Sequence, residues 1–380
     1  MKNVFILGAR GYHENYGGWE TFVSNLVDNY NDKNTKFYIS KLSDNKDETE
    51  IIINRNITVK PIYIDKNGSI KMFLYTIKSL KETIKYIKKN NIKNPYIYIL
   101  GLKLLNYLNI KRRTLQKLGA TIIVNPDGLE WKRSKWGFVA KKFFIISEKL
   151  MLKATDIIVC DSLGIKDYVD ITYPKLKNKT TYIAYGSNTY DFKKINEDKI
   201  LKEYKLKKNN YCLMVGRCVP ENNYELAIKG FMNSKIKKDL VIVSNLDSSN
   251  YFNEIKEKTN CLNDKRIKFI NGVYDQEKLA TLRKNAYLYI HGHSVGGTNP
   301  SLIEALSLTD LNILYDVNFN KYAGKDSCIY FKTDESLTDI LNNTKYLESI
   351  KEEKGIMAKQ IVKENFTWDI IVTMYKKIFK

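Results

Sequence analysis

The sequence predicts an α/β protein made of two doubly wound domains. Short apolar runs alternate with amphipathic helical stretches almost from end to end. The alternation pauses over a polar, lysine-rich stretch at 186–208 and then restarts. A chain of 380 residues also exceeds what one core usually holds. Apolar strands separated by helices imply parallel sheets covered on both faces.

In the first half the strand-like runs are 4–8, 36–40, 57–62, 96–101, 121–125, 157–160 and 181–184. Helical patterns over 69–90 and 137–154 lie among them. The second series is 211–216, 240–244, 267–270, 288–292, 313–315 and 328–331. The reading is a first domain over 1–187, a linker over 188–208, a second domain over 209–362 and a terminal segment over 363–380. Ile370, Ile371, Met374, Tyr375 and Ile378 give that last segment an apolar stripe, as for a short helix packing back on the first domain. Open α/β sheets bind ligands at the carboxyl ends of their strands, so two such domains are expected to face a central cleft.

Composition narrows the function. Hydrophobic residues make up 43%, as in ordinary globular proteins. No run approaches the roughly 18–20 apolar residues of a membrane span. The chain enters a strand pattern at once, without the longer apolar core of a signal peptide, so a cytoplasmic protein is expected. Cys160, Cys212, Cys218, Cys261 and Cys328 are odd in number and widely spaced. They suggest neither disulfides nor zinc, and the three histidines lack metal-ligand spacing. No metal or cofactor is expected. The net charge of +21 favours polyanions, namely nucleic acid, phosphates or an anionic membrane. The lysine excess, beside abundant Asn, Ile and Tyr, is also what an AT-rich genome would produce.

Three glycine-bearing stretches follow strands. In Gly8-Ala-Arg-Gly-Tyr-His-Glu-Asn-Tyr-Gly-Gly-Trp-Glu-Thr-Phe22, Gly17 and Gly18 stand at a helix start, where backbone N–H groups and the helix dipole favour an anion. The spacing is not the dinucleotide pattern, and a strain-relieving turn explains it equally well. In Val215-Gly-Arg-Cys-Val-Pro-Glu-Asn-Asn-Tyr224, Arg217 ends a strand and suits a phosphate, unless it pairs with Glu221 or Glu225. In Gly296-Gly-Thr-Asn-Pro-Ser301, Pro300 opens a helix that Thr298 or Asn299 can cap, presenting N–H groups to an anion. Ser301 and Glu304 share one helix face, and Glu304 can accept hydrogen bonds from a sugar diol. Its alternative is a solvated glutamate. Together these parts match a nucleoside diphosphate sugar. No Asp-x-Asp pair is present to bridge a divalent metal, so the diphosphate charge falls to Arg217 and helix starts.

In Gly216-Arg217, Pro220-Glu221, Phe269-Ile-Asn-Gly-Val273 and His291–Glu304, the sequence resembles GT-B glycosyltransferases of family 4 over nearly its whole length. The amino-terminal glycine stretch and Asn125-Pro-Asp-Gly-Leu-Glu-Trp131 more narrowly resemble bacterial capsule and cell-wall β-1,4-rhamnosyltransferases of the streptococcal type. The resemblance implies a GT-B fold of two Rossmann-like domains and retaining, metal-independent transfer. The donor implied is dTDP-L-rhamnose. The acceptor implied is a polyprenyl-diphosphate-linked sugar, glucose or N-acetylglucosamine. It further implies donor binding by Gly17, Gly18, Arg217, Asn222, Gly272, Val273, Gly296, Gly297, Thr298, Asn299, Ser301 and Glu304. Acceptor binding would fall to Arg10, His13, Tyr16, Trp19, Glu20, Trp131 and Arg133, with Arg217 and Asp127 catalytic. Asp127 would orient the acceptor hydroxyl, or else cap the turn before Gly128. Three departures stand out. Asn222 replaces the family's usual lysine, Gly296 replaces a glutamate, and Asn125-Pro-Asp127 occupies the region of a histidine.

Cations interleave with aromatics over 129–144 and more loosely over 71–93, as suits an anionic membrane surface. A peripheral position on the inner face of the plasma membrane is therefore expected. A core helix with a solvated lysine face explains 71–93 equally well. Other readings are a family 4 transferase with a different donor, a sugar-nucleotide epimerase and a basic nucleic-acid-binding protein. No nucleic-acid module is visible, and nucleic acid is not expected as a partner.

Overall fold

A computed structural model describes residues 1–14, 17–66, 68–132, 136–247 and 249–380. The chain forms two compact units, Met1–Gly186 with Trp368–Lys380, and Ser187–Thr367.

The first unit holds an eight-stranded sheet: β1 (Lys2–Leu7), β2 (Thr35–Ser43), β3 (Ile51–Asn54), β4 (Ile57–Tyr63), β5 (Tyr96–Leu100), β6 (Thr121–Asn125), β7 (Ile157–Cys160) and β8 (Thr180–Tyr182). Their order is β3-β4-β2-β1-β5-β6-β7-β8. All pairs are parallel except β3 with β4. Val4 to Leu7 and Ile97 to Leu100 are at most 1% exposed, as expected for strands covered on both faces. The antiparallel edge β3 is a departure from the sequence reading. Its Ile51, Ile52 and Ile53 are all exposed, so neither alternation nor a buried run marks it. The helix Trp368–Ile378 belongs to this unit. Tyr375 and Tyr98 join their hydroxyls at 2.7 Å, and Trp368 and Tyr375 pack near Phe22.

The second unit holds a six-stranded parallel sheet: β9 (Tyr211–Val215), β10 (Asp239–Ser244), β11 (Ile267–Asn271), β12 (Leu288–His291), β13 (Asn312–Tyr315) and β14 (Ile329–Phe331). Their order is β11-β10-β9-β12-β13-β14. Two apolar clusters cover its faces, one around Phe231 and Leu337, the other around Leu213 and Leu282. The stretch read as a linker over 188–208 instead carries the helix Glu197–Glu203. Its Leu201, with Leu206, joins the second cluster. The surrounding lysines are solvent-facing and hide this short apolar stripe.

Candidate functional site

The order of the second sheet reverses between β9 and β12, and the loops leaving these two strands flank a topological switch point. Those loops carry Arg217 and Asn222 on one side and Gly296 to Asn299 on the other. They are tied together. Asn223 Nδ2 donates to the Gly292 carbonyl at 2.7 Å, and Ser294 donates to the Glu221 carbonyl through both N–H and Oγ. A Cβ on Gly292 would lie 2.2 Å from the Asn222 carbonyl, so only glycine lets the loops meet. Asn222 Nδ2 donates to the Arg217 carbonyl at 2.7 Å, which turns Oδ1 toward His293 Nδ1, also at 2.7 Å. His293 is therefore the donor, protonated at Nδ1. The residue that replaces a family lysine is thus a neutral clamp between the two loops. Gly296, at φ +144°, sits so close to His293 that a Cβ would be 2.8 Å from Nε2.

Arg217 is exposed, and its guanidinium has no ion pair among the described residues. The candidate Glu225 pairs instead with Lys229 at 2.7 Å and Lys258 at 3.4 Å. A surface arginine left unpaired at a strand end retains its whole fork for a ligand.

The helix Pro300–Leu308 starts as expected, with Asn299 Oδ1 capping the Ser301 N–H at 2.9 Å. The Leu302 and Ile303 N–H groups reach the Asn299 carbonyl at 3.0 and 3.2 Å, and Pro300 has no N–H. The expectation of open N–H groups in this first turn is corrected: the cap and the proline leave none from Pro300 to Ile303. Thr298 is buried just ahead of the helix.

Glu304 is buried, and its Oε2 lies 2.6 Å from Nη1 of Arg283. Arg283, 2% exposed, also donates from Nη2 to Ser301 Oγ at 3.1 Å. Tyr289 Oη meets the same Ser301 Oγ at 3.0 Å, and both hydroxyls reach the Val215 carbonyl at 3.2 Å. This network fastens the helix start to the strand end that precedes Arg217. The sequence reading placed Ser301 and Glu304 on one face but missed Arg283 and Tyr289. A signal was present: Arg283 stands in the apolar pattern of Leu279, Leu282 and Ala286, as Glu304 stands among Leu302, Ile303 and Ala305. Two opposite charges on apolar helix faces are a buried pair in waiting. His291 is buried with its ring 6.0 Å from that of Tyr289, and burial, then the neighbouring His293, pushes its imidazole well below the usual range. Gly272 and Val273 follow β11, two strands from β9. The Gly272 N–H is held by Asn271 Oδ1 at 3.1 Å, and Val273 packs on the second apolar cluster.

In the first unit the order reverses between β1 and β5. Glu20, 4% exposed, accepts the Arg10 N–H at 2.7 Å and so braces the glycine turn. Gly17 caps the helix Gly18–Asp28, and Thr21 Oγ1 returns to the Gly17 carbonyl at 3.2 Å. His13 holds φ 56° with its N–H on Ser24 Oγ, and its Nε2 lies 3.2 Å from Asp28. Trp19 is half-buried, with its ring edge-on to Phe22 and Tyr185. Trp131 lies against Tyr168. Tyr16 and Arg133 lie outside the described residues.

Asp127 adopts φ 63°, its N–H bound by Asn125 Oδ1 at 2.8 Å, which is an Asx turn at the end of β6. The adjacent strand β7 is followed directly by Asp161, which is 1% exposed. Burial first, then the Asp127 charge, pushes the Asp161 carboxyl up to about 8, against an opposing hydrogen bond from Tyr185. Asp161 escaped the sequence reading, although an acid directly after the apolar run 157–160 occupies a strand-end position. Glu148 is a second buried acid, taking the hydroxyls of Tyr168 and Tyr173 at 2.7 Å. Burial still raises its carboxyl above the usual range.

Residues 196–353 match the family model described as glycosyl transferases group 1, and residues 1–188 match a domain of unknown function, DUF1972. Over 250 residues, 61% of this chain, the sequence is 28% identical to an uncharacterized glycosyltransferase of Methanocaldococcus jannaschii. A second alignment, at 26% identity over 275 residues, is to Mediator of RNA polymerase II transcription subunit 14 of Candida albicans. The chain spans 60% and 20% of the length of these two relatives. Among solved structures, sucrose-phosphate synthase from Thermosynechococcus elongatus is similar with a TM-score of 0.77 at 14% identity, covering 100% of this chain and 98% of that one. Anabaena HepE in complex with UDP is similar with a TM-score of 0.72 at 12% identity, covering 100% and 99%. The chain thus has the GT-B fold, and its two halves are similar to the DUF1972 and glycosyl transferases group 1 models respectively.

Proposed function

We propose that the protein is a glycosyltransferase that moves L-rhamnose, with retention, from dTDP-L-rhamnose to a polyprenyl-diphosphate-linked sugar. The observation that carries transfer from a nucleotide sugar is the switch point of the second sheet. There an arginine with no ion pair among the described residues and a glycine turn lie on two loops clamped to each other, and a carboxylate stands on the helix that follows the turn. Arg217 takes the donor diphosphate, aided by N–H groups of the turn at 296–299 and the dipole of the capped helix. Glu304 takes the nucleoside sugar, and Gly272 and Val273 line the base. Catalysis is positioning plus charge stabilisation of the departing diphosphate, whose oxygen takes the acceptor proton on the same face. Asp127, presented on its turn, orients the acceptor hydroxyl. The choice of rhamnose rests on the sequence resemblance.

Transfer measured with dTDP-L-rhamnose against a panel of nucleotide sugars tests this. The acceptors are lipid-diphosphate-linked glucose and N-acetylglucosamine. Turnover with dTDP-L-rhamnose alone is the expected result. Turnover with a uridine donor alone would replace the donor, and no turnover or nucleotide binding would overturn the reading.

The acceptor places the enzyme at a membrane. Among the described residues no helix is long and apolar enough to cross one. The helix Phe138–Ala154 exposes Phe138 (71%), Val139 (81%), Ile145 and Ile146, and Lys142 lies 4.5 Å over the Phe138 ring. Exposed apolar anchors among lysines suit an anionic bilayer surface on the cytoplasmic side. Exchanging Lys141 and Lys142 for Glu is expected to weaken sedimentation with phosphatidylglycerol vesicles by at least about thirtyfold, since each of the two basic residues lost contributes about 1 kcal/mol at such a surface. Unchanged sedimentation would remove this face from the account.

A further inference from the structure

We infer that the edge strand β3 is a self-association surface. Two copies of the chain pair their β3 strands antiparallel about a two-fold axis and so join their eight-stranded sheets into one.

β3 ends its sheet, and its outer side pairs with no strand. It is exposed at every residue, with Ile51, Ile52 and Ile53 at 41, 70 and 48%. The other sheet edges differ. β8 and β14 have no exposed residue, and β11 has one, Asn271 at its end. β11 also carries Lys268, whose Nζ lies 2.7 Å from Asp239. Charged side chains, proline or a covering element keep an edge from pairing, and β3 has none of these along its length. Its register with β4 is regular through Ile51 and Ile52 and shifts only before Asn54. Ile51 and Ile52 therefore stand on opposite faces, and a strand added at this edge covers apolar surface on both. Unpaired backbone groups between exposed β-branched side chains are a template for such a strand.

The flanking charges select a second copy as the partner. Glu50 precedes the strand and Arg55 follows it on the turn into β4, and both are exposed. Arg55 has no ion pair among the described residues. Glu50 reaches only Lys60, at 3.2 Å, and its side chain stays 36% exposed. An antiparallel copy sets its Glu50 end beside this Arg55 and its Arg55 beside this Glu50, so both ends of the contact match at once. A parallel copy would set like charges together. The antiparallel contact uses one patch twice and closes at two chains. Between β3 and the switch point at β1 and β5 lie β4 and β2, so the pairing does not involve the strand ends of that switch point.

Sedimentation equilibrium of the full chain tests this, over a concentration series spanning the micromolar range expected of a small interface. The mean mass of the parent is expected to rise from 44.3 kDa toward twice that value and no further. Ile52→Lys is expected to weaken association at least about tenfold, because the two-fold axis applies the change twice. The position is exposed, so the variant is expected to keep the parental melting curve. Glu50→Arg and Arg55→Glu chains, each alone, bring like charges together and are expected to stay at the mass of one chain. Mixed, they present only opposite charges to each other and are expected to associate. A parent that stays at 44.3 kDa throughout the series would overturn the inference. Parental association by Ile52→Lys, or by either charge variant alone, would overturn it too, since the chains would then meet through another face.

Discussion

Arg217→Ala is expected to lower kcat/KM for sugar transfer by about a hundredfold or more, the usual cost of removing one preorganised charge-stabilising donor. The unfolding free energy is expected to stay within about 0.5 kcal/mol of the parent, as for surface changes that break no buried contact. Both halves follow from one fact: the guanidinium is exposed and has no ion pair among the described residues. Removing it strands nothing inside the protein. What it takes away is an exposed cation just beyond the carboxyl end of β9, the group proposed to meet the donor diphosphate. Arg217→Lys is expected to fall between parent and Ala, since the ammonium keeps charge and loses the planar fork. Steady-state transfer and thermal melting on the same preparations check this. An Ala variant with parental turnover would remove Arg217 from the chemistry. One that lost activity together with the folded state would make it structural.

How far this site could be read from sequence depended on the range of each contact. Arg217, the glycine turn and the capped helix start are local, and strand-end position with turn chemistry located them. The doubly wound strands were legible for the same reason, because a strand covered on both faces is a continuous apolar run. β3 was not, since an exposed edge strand need not alternate. Arg283 joins Glu304 across 21 positions, and spacing alone does not bring a residue on one helix to an acid on the next. Its presence changes what Glu304 can do. The sequence offers a carboxylate for a diol, and the structure pairs that carboxylate with a buried arginine. Asn222 shows the reverse case. Judged against a family pattern it is a lost charge, yet its amide fixes both loops and the tautomer of His293.

Asp161→Asn is expected to stabilise the protein at pH 8 and to leave it unchanged near pH 4. The carboxyl lies at the end of β7, 1% exposed, and is raised from the usual 3.8 to about 8, by burial first and then by the Asp127 charge. The folded protein therefore keeps a proton that the unfolded chain releases. Folding takes up that proton across the window between these two values. The stability tied to it is complete below about pH 4 and is lost as pH rises to about 8. Asn has the shape of the protonated acid and never ionises, so the variant escapes this loss. A gap of about four units corresponds to several kcal/mol at most, and even about 1 kcal/mol moves a melting temperature by ~2–4 °C in a domain of this size. The difference between variant and parent should thus grow from near zero at pH 4 to at least about 4 °C at pH 8. Parallel melting curves across that range would show that Asp161 ionises in the folded state as it does in water. The same substitution bears on Asp127 at the end of the neighbouring strand. If Asp127 orients the acceptor, removing an ionisable neighbour should flatten the alkaline side of the pH–rate profile. A purely structural Asp161 would shift the melting temperature and leave that profile in place.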